Sequence, residues 1–126
     1  MAVPARVRPL HLGFVPGPEK LATFYNACDF VVVPSLEDNH PQMALEAMAC
    51  GRPVIAFDTG GIGEFVLDGI TGRLVPLRDV ESLATAIRQL AEAPGLRDNL
   101  GQRARMLIQR DFEAASQTAR VTAIYD

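Results

Sequence analysis

Cysteine is scarce in this 126-residue chain: Cys28 and Cys50 are the only two, and they form no CxxC pair. A disulfide framework and a zinc site therefore both lack their ligands, and the two thiols are expected to be reduced and structural. Basic charge is also short. Twelve Lys and Arg stand against fifteen Asp and Glu, for a net charge of −3 and a pI near 5.3, where a protein gripping nucleic acid through phosphates needs the opposite balance. Long apolar runs are missing: the stretch from Phe30 to Val33 falls far below the roughly 20 residues that span a bilayer, so no transmembrane segment is expected. The N-terminus has no charged-then-apolar signal pattern, which points to a cytoplasmic protein. His11 and His40 stand far apart, with no Asp-x-Asp, His-x-His or His-Glu-x-x-His, so metal ligation and a serine triad both lack their parts.

What is present is an ordinary globular composition, 48% hydrophobic and 21% charged, in a length that suits one domain. The segment from Val7 to Val15 alternates and stops at Pro-Gly-Pro, as a short strand does before a turn. Glu19 to Ala27 has helical spacing. Phe30 to Val33, closed by Pro34, reads as a buried strand. Pro41 can open a helix and Gly51 can close it, which predicts a helix over 41–50. Pro53 to Phe57 reads as another buried strand, followed by a turn over 58–61, a short helical piece around Glu64 to Leu67, and a last strand from Gly72 to Val75. Leu83, Ala86, Ile87 and Leu90 mark one amphipathic helix, and Leu96, Leu100, Ala104, Leu107 and Ile108 mark a second that ends near Arg110. A third is expected from about Ala114 to Tyr125. Strands alternating with helices predict an α/β fold with a parallel sheet and helices on its faces.

In such a sheet ligands bind beyond the carboxyl ends of the strands, which here are 13–17, 34–40 and 58–64. The second stretch runs into the N-terminus of helix 41–50, where the N–H groups of Gln42, Met43 and Ala44 offer an anion site that needs no lysine. A plain helix start capped by Asn39 is the alternative. From Met43 to Cys50 that helix is apolar on every face except at Glu46, so it should be buried nearly all round. A carboxylate there needs hydrogen-bond partners, and a pair of ligand hydroxyls would serve. Otherwise Glu46 lies at a solvated rim. Glu46 follows Gln42 by one turn, about 6 Å along the axis, which is the distance from sugar to phosphate in a nucleotide. Glu37 and Asp38 lie before the helix, either for function or as charges favoured by its dipole. Gly60, Gly61, Gly63 and Glu64 form a Gly-rich loop without the GxGxxG spacing, for which a tight turn suffices. Arg97, Arg103, Arg105 and Arg110 are interleaved with acids, as on a solvated helix face.

Taken together, Pro-Ser-Leu-Glu-Asp-Asn-His-Pro-Gln-Met-Ala-Leu-Glu-Ala-Met-Ala-Cys-Gly-Arg-Pro-Val-Ile-Ala-Phe-Asp-Thr-Gly-Gly-Ile-Gly-Glu over 34–64 resembles the nucleotide-binding signature of the retaining GT-B glycosyltransferases of family 4. The flanks Leu-Gly-Phe-Val-Pro at 12–16, Asp-Phe-Val-Val-Val-Pro-Ser at 29–35 and Asp-Gly-Ile-Thr-Gly-Arg-Leu-Val-Pro at 68–76 also look like that family. The resemblance implies a partial, Rossmann-like nucleotide-sugar-binding domain over 1–126, belonging to the second domain of a GT-B enzyme. It implies a nucleotide-diphospho-sugar donor and no metal or other cofactor. The family pairs an acid with a second glutamate eight positions on, which by resemblance makes Asp38 face the transferred sugar and Glu46 bind the ribose. The family more often has Glu at the first position. Where it has Gly-Phe-Gly-Leu this chain has Asn-His-Pro-Gln over 39–42, so phosphate and sugar contacts fall to His40 and to the amides of Gln42 and Met43. Gly13 and Val15 match the loop that borders the base.

The same resemblance implies parts that this stretch lacks: an N-terminal acceptor domain, and the opening strands whose loop gives Arg and Lys to the donor diphosphate. Lys20, the only lysine, lies in a helix. Without cations on the leaving group the largest electrostatic contribution to transfer is absent, and little activity is expected from this polypeptide alone. Two rival readings are a non-catalytic nucleotide-binding or interaction module and a fragment of a GT-B-like sugar-nucleotide epimerase. In the family strand order 3-2-1-4-5-6, a chain beginning at strand 3 leaves a gap of about 14 Å, at 4.8 Å per strand step, beside strand 30–33. Either segment 7–12 moves in beside that strand, or another chain covers the edge and makes a homo-oligomer.

Overall fold

The computed structural model describes residues 18–34 and 42–112. The expected strand at 7–12 and the expected helix from Ala114 to Tyr125 lie outside them. The chain runs α1 (Pro18–Asn26), β1 (Val31–Val33), α2 (Gln42–Ala49), β2 (Val54–Phe57), a 3₁₀ turn (Ile62–Glu64), β3 (Gly72–Val75), α3 (Val80–Glu92) and α4 (Pro94–Phe112). The three strands are parallel and lie side by side in the order β1-β2-β3.

Side chains alternate between the two faces of this sheet, as its pleat requires. Val31, Val33, Val54 and Ala56 pack with Ala44, Ala47, Met48 and Ala49 of α2. Ile55, Phe57 and Val75 pack with Leu83, Ala86 and Leu90 of α3 on the other face. All four residues of β2 are buried, as suits a central strand covered on both sides. The long helix α4 serves both cores: Leu100 joins the α3 side, and Ala104, Leu107 and Ile108 join the α2 side.

The helix ends follow their local chemistry. Proline occupies the first position of α1 and of α4, where a missing N–H costs nothing. At the end of α2, Gly51 has φ +76; its N–H donates to Met48 O at 2.9 Å and that of Arg52 to Ala47 O at 3.0 Å. This is the Schellman ending that a glycine after the cap makes possible. Arg52 also closes α1, donating from Nε to Tyr25 O at 3.1 Å and from Nη2 to Asn26 O at 2.9 Å. The start of α3 is capped by Asp79, whose Oδ1 accepts from the Ser82 N–H at 3.0 Å.

Three expectations change. The helical piece placed at 64–67 is a 3₁₀ turn at Ile62–Glu64, because Phe65 and Val66 turn down into the core, where they are 5% and 0% exposed. The helix over 43–50 is buried nearly all round except at its start: Ala44, Glu46, Ala47, Met48 and Ala49 are inside, but Met43 is 48% exposed. Finally, Arg97 is not part of a solvated face. Its Nη1 donates to Leu90 O at 2.7 Å and Ala91 O at 3.0 Å, satisfying carbonyls left over at the end of α3. Arg103, Arg105 and Arg110 are exposed as expected.

Candidate functional site at the carboxyl edge of the sheet

Because β1 and β2 are parallel, their carboxyl ends lie on one edge, and α2 starts from that edge and runs back toward the start of β2. The first-turn N–H groups of Gln42, Met43 and Ala44 have no carbonyl one turn earlier within the helix, so they point out over the edge with the positive end of the helix dipole. Gln42 is half-buried beside the exposed Met43.

Glu46 sits one turn deeper, about 6 Å from Gln42 along the axis. It is only 4% exposed and, among the described residues, shares burial as a polar or charged side chain with Thr71 at 2%. The carboxylate is therefore inside the fold and not on a solvated rim. Ionised groups are rarely buried without a fixed electrostatic environment, because desolvation costs several kcal/mol. One further turn on stands Cys50. Burial, followed by the nearby Glu46 charge as a lesser cause, pushes its thiol up to about 11, although the Arg52 and Arg105 charges pull the other way. At neutral pH Cys50 is an uncharged thiol, and Cys28 is likewise shifted upward, chiefly by burial. Both are free cysteines.

The second wall of this edge is the loop after β2. It leaves the sheet through Asp58, whose N–H donates to Val75 O at 2.8 Å, and reverses at Gly60, which has φ +58 and so needs a residue without a Cβ. Gly63 is tucked against this loop: a Cβ there would stand 3.4 Å from Leu74 Cδ2 and 3.5 Å from Asp58 Oδ1. These glycines build a tight turn.

Of the residues singled out in the sequence, Glu46, Gln42 and Met43 come together on α2. Asp38, His40, Gly13 and Val15 lie outside the described residues. Among the described residues no three His, Cys, Asp or Glu side chains gather as metal ligands. Sequence reasoning missed the roles of Arg52 and Arg97, each of which reaches across to close another helix; the signal available was an arginine just past a helix boundary. It also missed Thr71, whose buried hydroxyl donates to Phe65 O at 2.7 Å and accepts from Leu67 N–H at 2.8 Å.

Residues 6–93 match the family model described as glycosyl transferases group 1. The chain belongs to that family. D-inositol 3-phosphate glycosyltransferase of Kribbella flavida is 44% identical over 84 residues, 67% of this chain and 20% of that protein. The enzyme of the same name from Saccharomonospora viridis is 42% identical over 94 residues, 75% of this chain and 22% of that protein. The chain thus spans about a fifth of the length of these relatives. Among solved structures, sucrose-phosphate synthase from Thermosynechococcus elongatus matches with a TM-score of 0.66 and 37% identity, covering 84% of this chain and 23% of that one. Anabaena HepE in complex with UDP-glucose matches with a TM-score of 0.70 and 26% identity, covering 83% of this chain and 28% of that one. The fold of this family member is the Rossmann-like parallel arrangement of the GT-B glycosyltransferases. No helix among the described residues is long and apolar enough to cross a membrane.

Proposed function

We propose that this chain is the donor-binding part of a retaining glycosyltransferase, holding a nucleotide-diphospho-sugar at the carboxyl edge of the sheet. The observation that carries the reading is Glu46: a carboxylate 4% exposed, one turn inside a helix whose N-terminus opens on that edge. A carboxylate fixed at this depth accepts hydrogen bonds from the two ribose hydroxyls, while the diphosphate lies one turn higher against the amides of Gln42 and Met43, at the positive end of the helix. His40 contacts the phosphate or sugar, Asp38 faces the transferred sugar, and Gly13 and Val15 border the base. Support for the donor class comes from HepE, a neighbour of the same fold that was solved with UDP-glucose.

Charge neutralisation by backbone N–H groups and side chains, with no metal, suffices to hold the diphosphate in this reading. In this reading transfer itself also needs an acceptor site and cations on the leaving diphosphate, supplied from outside this stretch. Titration of the chain with UDP, GDP and ADP by calorimetry tests the proposal. Weak binding of at least one, unchanged by EDTA and accompanied by no release of sugar from the matching donor, is expected. Absence of binding to all three, or binding that EDTA abolishes, would refute it.

A further inference from the structure

A groove of about 280 Å³ lies between the loop entering β3 and one face of α4, lined by Leu67, Ile70, Thr71, Arg103, Met106, Leu107 and Arg110. Because it borders the residues before Gly72, it is at the amino edge of the sheet, opposite to the edge from which α2 starts. We propose that this groove binds a free amphiphilic anion, a carboxylate or phosphate monoester on a short alkyl tail.

Four of the lining residues, Arg103, Met106, Leu107 and Arg110, recur at three- and four-residue spacing and form one stripe spanning two turns of α4. The stripe therefore sets two apolar side chains between a cation at each end. Its apolar part is incompletely covered: Met106 is 65% and Ile70 49% exposed, and both border a floor of Leu67 and of Leu107, which is 9% exposed. Thr71 adds no polar handle, because its hydroxyl is already committed to Phe65 and Leu67. The polar chemistry left for a ligand is the two guanidiniums. Arg103 makes no hydrogen bond or ion pair within the described residues. Arg110 pairs with Asp111 at 3.0 Å, with its side chain 76% exposed, and a pair so exposed to water is readily exchanged for another anion. Planar guanidiniums suit carboxylate and phosphate oxygens, which they can grip through two N–H bonds. A volume of 280 Å³ equals about nine water volumes of ~30 Å³ each, room for a short alkyl chain.

Octyl phosphate, titrated below its micelle concentration into the full chain and followed by calorimetry and by NMR shifts of Ile70 and Met106, tests this. Octyl phosphate should bind at least tenfold more tightly than inorganic phosphate, and Arg103→Gln and Met106→Asp should each weaken it fivefold or more while leaving the thermal midpoint near that of the wild type. Saturating UDP should not displace it, which separates this site from the nucleotide cleft and makes the result independent of the proposed donor role. Equal affinity in the wild type and both folded variants, displacement by UDP, or binding only to phosphatidylglycerol vesicles and not to the monomeric probe would each overturn the proposal.

Discussion

Gly101 gives the sharpest test of how α2 is held. It lies inside α4, where alanine ordinarily stabilises a helix by about 0.8–1 kcal/mol over glycine. A Cβ at this position, however, would stand 2.2 Å from Gly51 O, 3.1 Å from Gly51 C and 3.4 Å from Pro53 Cδ. The obstacle is backbone that is fixed by the left-handed Gly51 and by its hydrogen bond to Met48, so it cannot swing aside as a side-chain tip would. Relief to an ordinary contact requires α4 to move away from α2 by about an ångström, opening a core that includes Ala104, Leu107 and Ile108. Overpacking of this kind costs typically ~1–3 kcal/mol, and set against the propensity gain of ~0.8–1 kcal/mol the net change for Gly101→Ala is destabilisation of up to about 2 kcal/mol. Gly95 supplies the control: it lies in the same helix with nothing within 4 Å of its missing Cβ, so Gly95→Ala should be neutral or stabilising by up to ~1 kcal/mol. Urea unfolding followed by circular dichroism should show a lower midpoint for Gly101→Ala than for Gly95→Ala at equal slope. A Gly101→Ala variant as stable as Gly95→Ala would refute the close contact between α4 and the end of α2.

Two further outcomes follow from titrating groups. With its thiol pushed up to about 11 from the ordinary 9.0, Cys50 should carry roughly 100-fold less thiolate at pH 8 than an unperturbed cysteine; alkylation by iodoacetamide should be slow in the folded chain and fast in urea, and a Cys50 that reacts at the unfolded rate would contradict the shift. The unfolded chain then releases this proton first, so stability should fall as pH rises from about 9 to 11. Asp79 has the opposite sign: hydrogen bonding to the Ser82 N–H and hydroxyl holds its carboxyl below the ordinary 3.8, so its stabilisation is present above that value and is lost as pH falls through the lower folded one. Asp79→Ala should lower the urea midpoint at pH 7 and leave it almost unchanged near pH 2; an equal loss at both pH values would show that the cap does not act through its charge.

Much of the fold is legible in the sequence because its signals are local. Val31 to Val33 and Val54 to Phe57 are short β-branched or apolar runs bounded by turn residues, and both form strands within a residue of their expected limits. Gly51 closes α2 as its position after an apolar helix predicts. What the sequence could not show depends on distant neighbours. Met43 continues the apolar pattern of α2 but is 48% exposed, because burial is set by which distant segments meet a helix face and not by the pattern alone. Arg97 looks like its exposed neighbours, yet its carbonyl partners belong to the preceding helix. At the candidate site the burial of Glu46 was legible, since a single carboxylate in an otherwise apolar helix has no polar face to occupy. Asp38, His40, Gly13 and Val15 rest on resemblance alone.

The most direct measurement is calorimetry of the preferred nucleoside diphosphate against the wild type, Glu46→Gln and Glu46→Ala. If Glu46 accepts the ribose hydroxyls, each lost charged hydrogen bond costs about 1.5–3 kcal/mol, so Glu46→Ala should abolish measurable binding. Glu46→Gln, which keeps the shape but loses the charge, should retain part of it. The matching 2′,3′-dideoxy nucleotide should bind wild type as poorly as the normal nucleotide binds Glu46→Ala. Equal affinity of wild type and both folded variants for the nucleotide would contradict the ribose role and, with it, the assignment of α2 as the donor-binding helix.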